Sequence, residues 1–325
     1  MAVKKRRTFK AQRLPVAIEH TEFYPYLLKY NEAMKLKVYS KSTLHRRESD
    51  VRRFVGWCDE RGLNHPNQIT KPILERYQRY LYYYRQERNN RPLSPTSQNH
   101  YLTSVKMFFK YLTRQNYLLY NPASELEIIR AAPSLPVILS ENEIERLINQ
   151  PDTNTESGIR DRAILELFYS TGLRRSELCN LTLHDLSLSR KTVMVRKGKG
   201  NKDRLIPVGQ RAINWIGVYL DKVRDGLLTD ITNETLFLND YGDAFRDTKI
   251  GDKVKRYMKN AGIDVPGSCH LLRHAMATHM LENGAEMRYI QAMLGHANLS
   301  ATQMYTHVSI RKLQQVHEAT HPSTK

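Results

Sequence analysis

The sequence predicts a mainly α-helical chain of two domains, a helical N-terminal bundle followed by an α+β domain. Three observations predict it. Apolar residues recur at three- and four-residue steps from about Phe23 to Arg130, this periodicity breaks between Asn121-Pro122 and Leu135-Pro136, and beyond the break two alternating segments flank a basic turn. At 325 residues the chain is long enough to bury two cores of ordinary size.

In chain order, the first segment (residues 1–20) carries Lys4, Lys5, Arg6, Arg7 and Lys10 and reads as a basic arm, either a solvated tail or a phosphate contact. Residues 21–131 form the helical domain. Leu44, Val51, Phe54, Val55 and Cys58 mark one helix, ended by a turn at Arg61-Gly62. A second runs from Ile73 to Arg88 behind Thr70-Lys71-Pro72, where Thr70 is the expected cap. A third starts at Ser94-Pro95-Thr96 and continues through Tyr101, Val105, Phe108, Phe109 and Leu112. Each helix is apolar on one side and rich in Arg and Lys on the other, which suits a bundle that lays basic faces on a duplex. Proline removes backbone donors and restricts the residue before it, so the linker, with a boundary near Ala132, is placed among Pro122, Pro133 and Pro136.

Residues 132–325 form the second domain. Ser140-Glu-Asn-Glu143 reads as a capping box opening a helix. Arg160 to Tyr169 and Ser176 to Leu178 follow as helix. Lys191 to Arg196 and Asp203 to Val208 alternate as two strands around Lys197-Gly-Lys-Gly-Asn-Lys202, a β-hairpin with a basic tip. From about Gln210 the pattern is mostly helical.

Fifty-one Lys and Arg against 33 Asp and Glu give a formal charge of +18, which favours a polyanionic partner through counterion release. Cys58, Cys179 and Cys269 form no C-x-x-C pair and point to a reducing compartment. No apolar run approaches the roughly 18 residues that span a bilayer. The expected location is the cytoplasm, away from any membrane.

The chemistry concentrates in the second domain. Arg174 and Arg273 can each bind a phosphate in two-pronged fashion, His270 and His296 can move protons or donate hydrogen bonds, His274 reads as a structural or supporting histidine, and Tyr305 offers a phenolic nucleophile. Cleaving a phosphodiester without a metal requires positive charge on the non-bridging oxygens, a nucleophile, and a proton for the departing oxygen. Gly172 would let the chain turn close to the phosphate, and Glu177 lies one helical turn from Arg174, where it can orient a side chain. Because a free phenol titrates near 10, Tyr305 needs a cationic pocket or a base, for which His270 is the candidate. Lys199 at the hairpin tip can protonate the leaving oxygen, with Lys197 and Lys202 as competitors. His270 and His274 are also spaced for zinc, with Cys269 or His296 as third ligand. Arg273 beside the pair and the lack of an intervening Glu oppose that alternative, and neither metal nor cofactor is expected.

These residues resemble the motifs of the tyrosine recombinases of the phage-integrase family, and most those of its bacterial Xer-type branch. The first arginine box is matched by Thr171-Gly-Leu-Arg174-Arg-Ser-Glu177-Leu, the hairpin lysine by Gly198-Lys199-Gly-Asn-Lys, and the second box by His270-Leu-Leu-Arg273-His274; Leu294-Gly295-His296 and Tyr305-Thr-His307 complete the set. The match runs from about Ser140 to Pro322. It implies a core-binding (SAM-like) helical domain and a catalytic domain of the DNA breaking-rejoining type, closing as a C-shaped clamp on double-stranded DNA. It further implies that Tyr305 forms a 3′-phosphotyrosyl bond, Arg174 and Arg273 hold the scissile phosphate, Lys199 is general acid, His270 general base, His296 a transition-state donor and Glu177 a support. Strand exchange would pass through a Holliday junction in a homotetramer on paired recombination sites, with or without a second recombinase, serving mobile-element integration and excision or dimer resolution. The last segment, with Ile310, Leu313 and Val316 before His317 to Pro322, would dock on a neighbouring protomer. A type IB topoisomerase-like relaxing enzyme and a non-catalytic architectural DNA-binding factor are the alternatives.

Overall fold

In the computed structural model the described residues are 16–87, 89–128, 137–196 and 203–295. The chain divides into two compact units, one within residues 9–133 and the other within residues 134–325. The expected boundary at Ala132 and the basic arm's charged residues lie outside the described residues.

The first unit is a bundle of α1 (Tyr24–Leu36), α2 (Lys41–Asp59), α3 (Lys71–Tyr83) and α4 (Pro95–Arg114). Ser40 and Ser94 cap α2 and α4 by accepting the backbone N–H three residues on. Thr70 occupies the cap position of α3, but its side chain makes no capping bond. The apolar faces meet around Phe54, which packs against Phe23, Tyr77 and Phe109 with ring centroids 4.9–6.4 Å apart and edges turned to faces. Inside this core the Ser104 hydroxyl donates to the buried Asp50 carboxylate at 2.6 Å.

Two helical expectations are corrected here. The second helix stops at Tyr83, not Arg88, because Tyr84 turns extended and the chain reverses through a left-handed Asn90. The Gln86 N–H donates to the Arg91 carbonyl, and Arg85 pairs with Pro92. Helix also ends at Arg114 rather than continuing to Arg130. Asn116 adopts φ 57°, and residues 115–128 run as turns and irregular chain.

The second unit opens with α5 (Glu141–Ile148), where Ser140 and Glu143 form both halves of the capping box. Helix α6 (Glu156–Thr171) runs through the middle of the core, buried over most of its length. Its fully buried Arg160 is neutralised by Asp161 at 3.2 Å and Asp240 at 2.8 Å. Then come α7 (Arg175–Cys179) and the strands β1 (Leu186–Ser187), β2 (Thr192–Val195) and β3 (Arg204–Pro207), an antiparallel sheet in that order. The expected hairpin is the β2–β3 pair, in register Val193 to Ile206 and Val195 to Arg204. Val193, Val195 and Ile206 point into the core. β1 was not foreseen, being two residues long. Helix α8 (Gln210–Tyr219) passes through a π-helical turn (Leu220–Arg224) into α9 (Asp225–Leu227). Next are α10 (Asp247–Asn260), α11 (Cys269–Glu282) and α12 (Met287–Leu294), the last closed by a left-handed Gly295 at φ 63°. Among the described residues no helix is long and apolar enough to cross a membrane.

Candidate active site

The site is organised by the C-terminal end of α12. The last carbonyls of a helix have no intrahelical donors, and that end carries partial negative charge, so cations settle there. Three arginines from three different elements do so. Arg204 Nε, at the start of β3, donates to the Met293 carbonyl at 2.8 Å. Arg273 Nη2, from α11, donates to Leu294 O at 2.8 Å. Arg174 Nη2, from the turn between α6 and α7, donates to Gly295 O at 3.3 Å. One consecutive carbonyl receives each guanidinium.

A single carboxylate joins two of them. Glu177 Oε1 accepts from Arg174 Nη1 at 2.6 Å and from Arg204 Nη1 at 3.0 Å. Its Oε2 accepts from the Arg174 backbone N–H at 2.8 Å and from Arg204 Nη2 at 2.7 Å. Burial alone would push the Glu177 carboxyl up, but the hydrogen bonds and charge of Arg204 and Arg174 outweigh it and hold it at about 2. Three guanidiniums against one carboxylate leave a net positive site, and Arg174 keeps a quarter of its side chain exposed. Such a surplus suits an anion.

Two glycines shape the approach of these elements. Gly172 ends α6 at φ 60°, and a β-carbon there would overlap Met276 of α11 and crowd Leu294 of α12 at 2.9 Å. Its small size lets the end of α6 pack against α11 and α12. Its carbonyl accepts from Arg273 Nη1 at 2.6 Å. Gly295 likewise admits the Arg204 side chain, to which a β-carbon would come within 3.1 Å.

His270 stands exposed on the first turn of α11, one turn before Arg273. Partial burial, then the positive charge of Arg175 and Lys255, lowers its pKa below the ordinary imidazole value. That shift favours the neutral ring, the form able to accept a proton. His274 is lowered too, by burial and by His270 and Arg273. The two rings stand 6.1 Å apart and nearly perpendicular. Cys269, considered as a partner for them in zinc binding, is buried, and burial pushes its thiol up to about 11. Lys199 with its neighbours Lys197 and Lys202, His296, Tyr305 and the segment from Ile310 to Pro322 lie outside the described residues. The structure joins Arg174 to Glu177 and brings Arg174 and Arg273 to adjacent carbonyls at the end of α12, with His270 one turn before Arg273 on α11; sequence reasoning missed Arg204. No local spacing signals that residue, since its partners are 27 and 89 positions away.

In the helical unit, His45, Arg46, Arg76, Arg79, His100 and Lys110 are exposed. The basic faces are not uniform, because Arg52 turns inward to Glu19 at 2.7 Å and Glu48 at 3.2 Å, and Lys71 pairs with Glu125 at 2.7 Å.

The model of the phage integrase family matches residues 138–311, over half of the chain, and that of the phage integrase N-terminal SAM-like domain matches residues 26–118. The chain belongs to the phage integrase family. Among similar proteins, the tyrosine recombinase XerC 2 of Ralstonia nicotianae is 48% identical over 307 residues, covering 94% of this chain and 88% of that protein. The tyrosine recombinase XerD of Pseudomonas putida is 36% identical over 300 residues, covering 92% and 98%. A solved XerA recombinase is 31% identical with TM-score 0.52, over 93% of this chain and 99% of that one. The XerH site-specific recombinase bound to palindromic difH substrate, 21% identical with TM-score 0.68 over 90% of this chain and 83% of that one, shares the fold. This member of the family is thus a Xer-type tyrosine recombinase, an enzyme of site-specific DNA recombination built from a SAM-like helical domain and a catalytic α+β domain.

Proposed function

We propose that the arginine cluster at the end of α12 is the scissile-phosphate site and that Tyr305 attacks there. The observation that carries this reading is the convergence of Arg174 and Arg273 on adjacent carbonyls, Gly295 O and Leu294 O, immediately before His296. The two guanidiniums are pre-oriented by protein groups and need little reorganisation to stabilise charge developing on a phosphate. His270 takes the phenolic proton of Tyr305, the phenolic oxygen bonds to phosphorus, and the bond to the 5′ oxygen breaks as Lys199 protonates it. The products are a 3′-phosphotyrosyl bond and a free 5′ hydroxyl. His296 donates to the phosphoryl oxygens at the transition state, and Glu177 holds Arg174. The reverse attack by a 5′ hydroxyl of another strand restores the phosphodiester and frees Tyr305, so phosphodiester energy is conserved and the chain's own residues supply every proton.

The substrate is double-stranded DNA with paired recombination sites, on which four copies exchange strands in two steps through a Holliday junction. A second recombinase can supply two of the four. Mobile-element movement and dimer resolution both need this reaction. The test is to incubate the full chain with fragmented DNA of its own cell, stop with detergent, and sequence the ends left on protein. One recurring site, with protein on 3′ ends and free 5′ hydroxyls, is expected. Adducts scattered without sequence preference would instead identify a relaxing enzyme of the topoisomerase type.

A further inference from the structure

We infer that Arg204 is a positioning residue for the cleavage reaction, one that locks the hairpin, the first arginine box and the end of α12 into a single arrangement. This inference rests on the phosphate site proposed above and extends it to a residue outside the catalytic set.

Arg204 makes three directed contacts at once, with Glu177 Oε1 at 3.0 Å, Glu177 Oε2 at 2.7 Å and Met293 O at 2.8 Å. Its side chain is only 10% exposed, so its charge is spent on these groups and does not reach DNA. The two-pronged grip fixes the plane of the Glu177 carboxylate, and that carboxylate in turn holds both the backbone N–H and Nη1 of Arg174. The third contact pins the chain two residues before Gly295, whose carbonyl receives Arg174 Nη2. Arg204 pairs with Val195 as the first residue of β3, so it also anchors the strand that follows, in sequence, the segment holding Lys199. Thus one guanidinium ties together β3, the carboxylate that holds Arg174, and the end of α12. Lysine keeps the charge but lacks the planar fork, and can satisfy one of these groups at a time.

The consequence is kinetic. With Arg204 lost, Glu177 draws on Arg174 alone, and a displacement of about 1 Å at a phosphate ligand costs on the order of 10²-fold in rate. The carboxyl of Glu177, held at about 2 chiefly against burial by Arg204, must also rise, so the rate acquires a new dependence on protonation at mildly acid pH.

The experiment is single-turnover cleavage of a nicked suicide substrate at saturating full-length protein, comparing wild type, Arg204→Lys, Arg204→Gln, Glu177→Gln and the double variant, from pH 5 to 8. Expected are a loss of about 10²-fold in cleavage rate for Arg204→Lys, half-site affinity within about threefold of wild type, and an acid limb in the profile of Arg204→Gln steeper than the one that protonation of His270 gives the wild type. If Arg204 acts through Glu177, the double variant is scarcely slower than Glu177→Gln, a non-additivity that a general loss of stability would not produce. Wild-type rate in Arg204→Lys, or additive losses in the double variant, overturns the proposal. Should Arg204→Gln fail to fold, the lysine variant and its pH profile carry the test. Tyr305→Phe in the same assay separates the two readings: adduct formation by it refutes the underlying site, whereas an inert Tyr305→Phe beside a fully active Arg204→Lys refutes only the role of Arg204.

Discussion

Replacing Glu177 by Gln removes the one negative charge between two largely buried cations, and its cost can be worked from the geometry. The Glu177 side chain is 8% exposed, that of Arg204 10% and that of Arg174 25%. Removing one partner of a buried pair costs about 3–5 kcal/mol, because the remaining charges are left uncompensated. Gln retains one acceptor oxygen, which recovers part of this, so a loss of about 2–4 kcal/mol at pH 7 is expected. The chain has two tryptophans, Trp57 in the helical unit and Trp215 in the catalytic unit. In a Trp57→Phe background, urea unfolding followed by Trp215 fluorescence reports on the unit that holds Glu177. The pH dependence sharpens the test. With a folded value of about 2 against an ordinary 4.5, the carboxylate contributes fully above about pH 4.5 and loses its contribution as pH falls towards 2. Since Gln does not titrate, the gap between wild type and variant should narrow by roughly 1–2 kcal/mol between pH 7 and pH 3.5. Equal stability at pH 7, or a gap that does not change with pH, would refute the reasoning.

Gly172→Ala should lower stability by about 1–3 kcal/mol, since it combines a left-handed backbone with overlap on Met276; thermal unfolding beside Gly217→Ala, where the added methyl meets open space in a helix and about 0.5–1 kcal/mol of stabilisation is expected, checks it. Lys199→Ala should be slow on a natural phosphate yet near wild type on a 5′-bridging phosphorothiolate, whose sulfur leaves without a proton. An equal defect on both substrates would assign Lys199 to holding the backbone.

Features with a local cause were legible in the sequence. Ser140 and Glu143 sit three apart, so their reciprocal caps follow from spacing alone, and the alternation of Val193, Val195 and Ile206 announces which face of the hairpin is buried. Glu177 was placed beside Arg174 by the same helical arithmetic. What spacing does not carry is tertiary. Arg204 looked like one more basic residue near a basic turn, and only the meeting of β3 with α7 and α12 gives it Glu177 and Met293. Gly172 shows the same limit, since the side chains that an added β-carbon would meet, Met276 and Leu294, lie far along the chain. The ends of helical segments were overrun for a related reason: residues 84–92 contain Arg and Tyr compatible with helix, but a left-handed Asn90 and the Gln86 to Arg91 bond close a turn instead.

The central claim is that Tyr305 carries the DNA during strand exchange, and the most direct measurement is the fragmentation mass spectrum of the tryptic peptide left on DNA after a suicide substrate is cleaved and the protein digested, since residues 289–311 form one such peptide and hold both Tyr289 and Tyr305. A nucleotide adduct is expected on the Tyr305 side chain itself, attached through a 3′ phosphate, formed in excess chelator and absent in Tyr305→Phe although that variant still binds the site. An adduct on any other residue, Tyr289 or Tyr257 included, or an undiminished adduct in Tyr305→Phe, would contradict it.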